Sequence, residues 1–274
     1  MRPLAPLVVA LLTALSPNAT AQAPAGEPLW ELGGFAVGLS QQAYPGSDQQ
    51  VSRALALPFF VYRGEVFRAD RDTAGIRAIK TADFEVDIGV AGSFGTNNDE
   101  IDARRGMREL GTLVQLGPRL KVNLGAAPGG GRWSAKFPLR AVFDLSDGAA
   151  HRGMAFEPEL AFERQAQAGW RYNASVSAVR ADAKLARTFY EVTRAEANSL
   201  RPAYAATSGL VAWRLSTSFS RKFGTDWRLF GFARVDSVAG AANEASPLVR
   251  RTTGATVGLG VVYTWLRSSE GARD

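Results

Sequence analysis

Apolar and polar residues alternate with a period of two along much of the chain. In one segment, Phe84, Val86 and Ile88 alternate with Glu85 and Asp87. Successive side chains of a β-strand point to opposite faces of a sheet. This segment therefore predicts a strand with one apolar face and one acidic face.

The same alternation recurs in other parts of the chain. It is regular in residues 132–145, 154–162, 170–178, 209–220 and 256–265, and less regular in residues 30–40, 53–63, 65–80, 112–124 and 227–238. These are about eleven segments of roughly ten or more residues, the length of a tilted transmembrane strand, whereas soluble strands usually have about 5–6 residues.

The predicted fold is all-β: a closed antiparallel transmembrane β-barrel of about 12 strands, with about 10 as the alternative, since bacterial barrels usually have an even strand count. Lipid cannot satisfy an open sheet edge, so the sheet must close. A soluble β-sandwich also alternates, but the strand length and the aromatic residues near strand ends favour the membrane, whose interface attracts Trp and Tyr. These aromatic residues are Trp30, Trp133, Trp170, Trp227, Tyr263 and Trp265.

Glycine-rich and polar segments separate the predicted strands. Two longer loops are predicted at Thr96–Leu110 and Asp182–Pro202, and the helix-forming composition of the second predicts a short helix. Turns are predicted at residues 45–48, 96–99, 128–131, 146–148 and 239–240.

The N-terminal segment has the order of a secretory signal peptide. Arg2 supplies a positive charge, residues 4–15 are an apolar run, and Ala19 and Ala21 form a small-x-small cleavage site. The run is shorter than the ~20 residues that a membrane-spanning helix needs. We expect a signal peptide at 1–21 and a single barrel domain at 22–274, with a polar tail at 267–274, exported to the bacterial outer membrane.

Composition excludes several kinds of chemistry. The chain has no cysteine and one histidine, His151, so thiolate sites and His-based metal clusters are excluded. A Ser–His hydrolase would have to use His151, which lies in a predicted turn without a serine motif, and we interpret it as an exposed loop residue. We predict no enzyme activity, no cofactor and no metal. The net charge of +6 is scattered along the chain, so we expect no nucleic-acid partner.

Two loops contain residue types that occur in ligand-binding motifs. The acidic loop Asn97–Asp102 could offer oxygen ligands to Ca²⁺, but it lacks the EF-hand spacing and glycine. The glycine-rich segment 128–131 lacks the Lys-Ser/Thr ending of a phosphate-binding loop, so it predicts a turn between strands.

Charged residues fall mainly on the polar faces of the predicted strands. We expect acidic and basic side chains to line the lumen and pair there, where they would fill a narrow barrel or set ion selectivity. Acid–base catalysis by paired carboxylates is the alternative. The candidate lumen-lining residues are Asp83, Glu85, Asp87, Arg119, Lys121, Lys136, Arg140, Glu157, Glu159, Arg171 and Arg214.

A series of short segments carries a family resemblance. They are residues 44–48, 58–64, 67–72, 103–107, 116–120, 138–142, 232–237, 239–243 and 246–250. In order and spacing they resemble the MipA/OmpV family of outer-membrane proteins, the MltA-interacting proteins, over nearly the whole predicted mature chain. The polar tail after the last predicted strand, Ala255–Leu266, departs from the aromatic ending that is common in outer-membrane barrels.

The resemblance implies a barrel in contact with outer-membrane lipid and lipopolysaccharide. It also implies a scaffold that links a lytic transglycosylase to a peptidoglycan synthase in cell-wall biogenesis, without catalytic residues of its own. A small-solute channel, an outer-membrane hydrolase and a surface adhesin are the alternatives. The sequence does not indicate an oligomeric state.

Overall fold

The computed structural model describes residues 28–63, 67–69, 74–81, 83–93 and 101–271. The predicted signal peptide, the end of the polar tail, most of the predicted Asn97–Asp102 loop and parts of the predicted 65–80 strand lie outside these residues.

Almost all of the regular structure in the described residues is β-structure, in thirteen strands with one α-helix. In chain order the elements are β1 (Trp30–Gln42), β2 (Gln50–Arg63), β3 (Phe67–Ala69), β4 (Ala74–Lys80), β5 (Phe84–Ser93), β6 (Leu113–Ala126), β7 (Arg132–Asp144), β8 (Ala150–Phe156), β9 (Glu159–Gln165), β10 (Trp170–Ala181), α1 (Ala183–Tyr190), β11 (Gly209–Phe223), β12 (Trp227–Ser237) and β13 (Thr253–Arg267).

The strands form one antiparallel sheet that closes on itself. Apart from β8 and β9, each strand pairs with its neighbours in the chain, and β13, the last strand, pairs with β1, the first. Strands β8 and β9 share one position between β7 and β10, so the described strands occupy twelve positions. The break falls at Glu157 and Pro158, where proline has no N–H for the ladder. The predicted closed barrel of about 12 strands is confirmed.

The outer face of the barrel is apolar. On β13, Val257, Leu259 and Val261 are half exposed and alternate with Thr256, which is buried on the inner face. Aromatic side chains gather on the outer face near one end of the barrel, where the rings of Trp227 and Tyr263 lie 4.6 Å apart. Lipid-exposed strands need such an apolar band with aromatic borders.

The two ends of the barrel differ in their connections. At one end, called the short-turn end, strands join through residues 127–131, 166–169 and 224–226. Both ends of the described chain also lie there, because Pro28 pairs with Gly271. Ser268 N–H donates to the Trp30 carbonyl at 2.9 Å, so the start of the polar tail continues the ladder between β13 and β1.

The opposite, long-loop end carries a packed cap. The cap consists of residues 43–49, 101–112, 182–208 and 238–252, which share buried apolar residues with each other and with the inner faces of the adjoining strands. The last connection is longer than the turn predicted at residues 239–240. The buried cap residues are Tyr44, Ile101, Ala103, Met107, Leu110, Leu185, Ala186, Tyr190, Val192, Val238 and Leu248.

Helix α1 starts inside this cap, within the loop that the sequence predicts to contain a short helix. Asp182 caps it, because its side chain accepts a hydrogen bond from the Leu185 N–H at 2.8 Å. Gly153 of β8 makes room for this turn, since a β-carbon there would lie 2.3 Å from the Asp182 carboxylate. No helix in the described part of the chain is long and apolar enough to cross a membrane.

Candidate functional site

Ion pairs join neighbouring strands on the inner face of the barrel. Asp87 of β5 and Arg119 of β6 are direct cross-strand partners, and their carboxylate and guanidinium lie 2.6 Å apart. Asp87 is 1% exposed, so this pair is almost completely shielded from solvent. A second hydrogen bond, from Arg119 Nε at 3.0 Å, makes the contact bidentate, which is the strong form of such pairs.

A larger network lies below the cap. Arg214 of β11 donates to Glu157 at 2.8 Å and to Asp236 at 2.7 Å, so it joins two carboxylates. Glu157 also accepts from Arg140 at 3.1 Å, and Arg234 lies 3.3 Å from Asp236. The network spans β7, the β8–β9 break, β11 and β12 and ties these strands together through paired charges.

Nearer the short-turn end, the ion pairs are more exposed to solvent. Lys136 of β7 lies 3.1 Å from Glu159, its direct partner on β9, and 3.6 Å from Glu163. Lys121 lies 3.5 Å from Glu163, whose side chain is 41% exposed. The inner wall therefore changes from a shielded network under the cap to partly solvated charges near the open end.

Three further predicted lumen residues are Glu85, Arg171 and Asp83. Glu85 stands directly opposite Lys121 in the β5–β6 register. Arg171 borders the cavity described next. Asp83 lies in the exposed turn before β5, where its carbonyl accepts from Asn123 N–H at 2.7 Å.

A cavity of about 1260 Å³ occupies the lumen near the short-turn end. One side of it is apolar and belongs to β1, β2, β12 and β13. The other side is polar, with Lys136, Arg171 and Asn173 from β7 and β10. The apolar residues include Phe35, Phe59, Val61, Phe230, Phe232 and Val262.

Three of these phenylalanine rings cover glycines. The direct cross-strand partners of Phe59, Phe230 and Phe232 are Gly33, Gly260 and Gly258, respectively. A β-carbon at Gly258 would lie 2.4 Å from the Phe232 ring, closer than any side chain allows. The glycines thus let the rings lie against the barrel wall, and this leaves the lumen beside them open.

Arg228, which is not among the predicted lumen residues, borders this cavity and a smaller one of about 320 Å³ at the same end. Arg228 is 8% exposed. Its guanidinium has no hydrogen-bond or ion-pair partner among the residues that the structure describes. Arg228 shares one face of β12 with Phe230 and Phe232, whereas Trp227 and Leu229 lie on the other, so both faces carry apolar residues and the period of two does not single out Arg228.

His151 lies in strand β8 and not in the predicted turn. It points to the outer face, where it is exposed and its ring lies 5.5 Å from that of Phe143. In the described ranges, no three or more potential metal ligands come together.

Hydrogen bonds hold the segments of the cap to one another. The Tyr44 hydroxyl donates to the Leu248 carbonyl at 2.7 Å, and the Tyr190 hydroxyl donates to the Pro45 carbonyl at 3.0 Å. Arg201, 6% exposed, donates to the Ala103 carbonyl at 3.0 Å. The cap is thus one packed unit built from four connections.

Burial perturbs titratable groups in the cap. It raises the pKa of Tyr44 to about 12, even though the nearby charge of Arg104 opposes this shift. Burial likewise raises the pKa of Tyr190 above its ordinary range and lowers the pKa of Arg104. The Arg104 guanidinium lies 5.7 Å from the centre of the Tyr44 ring, so the two groups stabilise each other inside the cap.

The family model described as "MltA-interacting protein MipA" matches residues 33–265, nearly all of the barrel. The chain belongs to the MipA family. The resemblance seen in the short sequence segments is thereby confirmed, and this MipA-family chain is an outer-membrane β-barrel. Among curated proteins, none matches it significantly.

Solved outer-membrane proteins show distant likeness to the MipA-family chain. The COG4313 outer membrane channel from Pseudomonas putida F1 is 10% identical with a TM-score of 0.37, and the match covers 92% of this chain and 100% of that one. The translocator domain of autotransporter NalP from Neisseria meningitidis is 13% identical with a TM-score of 0.33, over 86% and 88% of the two chains.

Proposed function

We propose that this barrel is a scaffold that binds a lytic transglycosylase and a peptidoglycan synthase and so links cutting and synthesis of the cell wall. The observation that carries the proposal is family membership across residues 33–265, in a family named for interaction with MltA. The role is one of binding and positioning, with the chemistry left to the bound enzymes.

The filling of the lumen supports a binding role over passage of solutes. The long-loop half holds the cap and the ion pairs around Arg214, which occupy the inner faces of the strands. Outer-membrane barrels place short turns in the periplasm and longer loops outside the cell. In that orientation the short-turn end faces the cell wall, and cell-wall enzymes would dock there.

The short-turn end also has a charge suited to docking. Arg132 and Arg164 are exposed at this end, together with basic residues at the ends of β11 and β13. Complementary charge speeds the association of two proteins and orients them. We expect the partner to present an acidic surface to this end.

Capture of partner enzymes by the immobilised barrel tests this proposal. Immobilised in lipid nanodiscs, the barrel should retain a lytic transglycosylase and a peptidoglycan synthase from a solubilised envelope extract, as identified by mass spectrometry, while an unrelated barrel should not. With a purified partner, Arg164→Glu should slow association on the order of three- to tenfold, because it reverses a rim charge. Arg251→Glu, exposed at the long-loop end, is the matched control and should leave the rate unchanged.

Two results would contradict the scaffold proposal. One is retention of neither enzyme. The other is an equal loss of association with Arg164→Glu and Arg251→Glu, since the short-turn end would then not be the docking surface. Large conductance steps in a planar bilayer would make the channel alternative the better account of the barrel.

We also propose that the chain is exported with cleavage of residues 1–21. The charge, apolar run and small-x-small order of the N-terminal segment support this step. Mass spectrometry of protein from outer-membrane fractions should show a mature chain that begins at Gln22. A chain that retained Arg2 in that fraction would refute the cleavage.

A further inference from the structure

The cavity at the short-turn end has two chemically different sides. We propose that it binds a single-chain amphiphile with an anionic head, whose phosphate or carboxylate contacts Arg228 and whose apolar chain lies along a phenylalanine wall. This wall consists of Phe35, Phe59, Phe230 and Phe232. Arg132 and Arg164 of the proposed docking surface also border this cavity, but the site rests on Arg228 and the phenylalanine wall, which the scaffold proposal does not use. Each proposal can therefore fail without the other.

The phenylalanine wall supplies the apolar half of the site. Its rings come from three strands, and in a water-filled lumen each would expose apolar surface to water. Burial of such surface against an alkyl chain is favourable in proportion to the area covered. Because Gly33, Gly258 and Gly260 let three of the rings lie against the barrel wall, the space beside them is kept open for a ligand.

Arg228 supplies the anionic half of the site. It stands next to the wall, two residues before Phe230 on the same inner face of β12. The Arg228 residue is 8% exposed and borders the cavity, and its guanidinium has no partner in the described part of the chain, so the charge remains available to a ligand in the cavity. An anion in the cavity would satisfy it through charge-assisted hydrogen bonds, for which the arginine fork is well suited.

The surrounding charges favour an anion over a cation. Three acidic residues border the two cavities, and each already has a basic partner. Glu31 pairs with Arg63 at 2.9 Å, and Asp226 pairs with Arg267. Glu163 lies 3.5 Å from Lys121 and 3.6 Å from Lys136. Arg171 also borders both cavities, and Lys222 stands directly opposite Arg228 in the β11–β12 register. The local field at Arg228 is therefore positive.

The cavity is large enough to hold a small amphiphile. Pockets for small molecules have volumes of about 300–1,000 Å³ and are mostly apolar with a few placed polar groups. The volume here, about 1260 Å³, exceeds this range, so an alkyl chain and its head group fit with room for water. Its lining residues come from strand segments near the short turns and from Gly131 of one such turn, so the ligand would enter from that end.

The test compares three probes that carry the parts of such a ligand separately or together. Octyl phosphate carries both the anion and the chain, inorganic phosphate carries only the anion, and 1-octanol carries only the chain. Binding is measured by calorimetry with the full barrel in phosphatidylcholine nanodiscs, and empty nanodiscs correct for partition into lipid. We expect octyl phosphate to bind at least tenfold more tightly than either of the others.

Substitutions test the anionic half and the apolar half of the site separately. Arg228→Gln should weaken octyl phosphate binding about tenfold or more, because a charge-assisted hydrogen bond is lost. Phe230→Ala should weaken octyl phosphate binding but leave inorganic phosphate binding unchanged. Arg221→Gln is the matched control, since Arg221 lies at the same end but packs on the outer face against Trp170 and Phe223.

Several results would overturn the proposal. Equal binding of octyl phosphate and inorganic phosphate would show a simple anion site, and equal binding of 1-octanol would show a site without an anionic half. Unchanged octyl phosphate binding by Arg228→Gln would remove Arg228 from the site. If Arg228→Gln does not fold, as judged by the gel mobility of the unheated barrel, Arg228→Lys replaces it. This variant keeps the charge but not the fork and should bind octyl phosphate severalfold more weakly, so unchanged binding would again overturn the proposal.

Discussion

The two halves of the lumen are built differently although the same ring of strands surrounds both. In the long-loop half, the cap and the Arg214 network occupy the space between the strands. In the short-turn half, a cavity of about 1260 Å³ remains beside the phenylalanine wall. The strands alone do not decide whether a barrel of this size is filled or open.

The two halves differ in which residue types are cross-strand partners on the inner face. Under the cap, Arg214 and Asp236 are direct partners whose charges meet, so the side chains reach toward each other. In the open half, Phe232 has Gly258 as its partner and lies across it. Charge pairs hold neighbouring strands through side chains that use the lumen, whereas a ring over a glycine fills the wall and leaves the lumen free.

The largest effect is expected when the filled half loses its central cation. Arg214→Met leaves the carboxylates of Glu157 and Asp236 facing each other without Arg214 between them, which should lower the free energy of unfolding by about 3–5 kcal/mol. Urea unfolding of the barrel in lipid vesicles, followed by tryptophan fluorescence, measures this change.

An exposed ion pair is the control for that prediction. Arg105 pairs with Asp102 in the cap, but their side chains are 67% and 73% exposed. Arg105→Met should therefore change the free energy of unfolding by less than about 1 kcal/mol. Similar losses for Arg214→Met and Arg105→Met would mean that the shielding under the cap does not matter.

A smaller effect is expected when the open half is overfilled. Gly258→Ala places a β-carbon against the Phe232 ring, which must turn into the lumen, and this should cost about 1–3 kcal/mol of unfolding free energy. The same unfolding assay measures the loss, and weaker octyl phosphate binding would report the narrowed cavity.

Two further variants separate crowding from a general effect of alanine. Gly38→Ala is the matched glycine, because no atom lies within 4 Å of its β-carbon position, and it should be nearly neutral. Combining Gly258→Ala with Phe232→Leu should recover most of the stability. If Gly258→Ala and Gly38→Ala behave alike, the rings do not depend on their glycine partners.

The smallest effect is expected at a single hydrogen bond of the cap. Tyr44→Phe removes the bond to the Leu248 carbonyl and should cost about 1 kcal/mol at neutral pH. Unfolded tyrosine ionises near pH 10, whereas burial raises the pKa of Tyr44 to about 12. The stabilisation from this shift is full below pH 10 and is lost as the pH rises toward 12.

The pH dependence of urea unfolding between pH 9 and 12 tests this assignment. The wild-type barrel should lose stability across that range, and Tyr44→Phe should lose less. Tyr190→Phe should also reduce the loss, because burial raises the pKa of Tyr190 as well. An identical slope in wild type and in both variants would show that neither buried hydroxyl governs the alkaline stability of the cap.

Some parts of the fold could be predicted because one face of a strand meets lipid and the other does not. The alternation of β13 identified its outward residues, such as Leu259 and Val261, since lipid tolerates only apolar side chains there. In β1 and β2 the alternation is irregular because the inner face is apolar too, with Phe35 opposite Leu57 in the register. A period of two cannot separate two apolar faces.

Other features depended on partners that are distant in sequence. The charges of Arg214 and Glu157 suggested the lumen, but their pairing spans 57 residues and needs the β8–β9 break to bring the carboxylate into reach. The cap was not predictable from loop composition, because its core joins residues as far apart as Tyr44 and Leu248. Arg228 was not predicted as a lumen residue because it shares its face of β12 with Phe230 and Phe232 while the other face is apolar too, so no alternation marked the inner face.

The sequence alone determined that the chain closes into a barrel in a membrane and which family it resembles, because alternation and strand length follow from local chemistry and the nature of lipid. Only the tertiary structure decided which half of the lumen is filled. That outcome depends on which side chains the closed sheet brings face to face: Arg214 with Asp236 in one half, and Phe232 with Gly258 in the other.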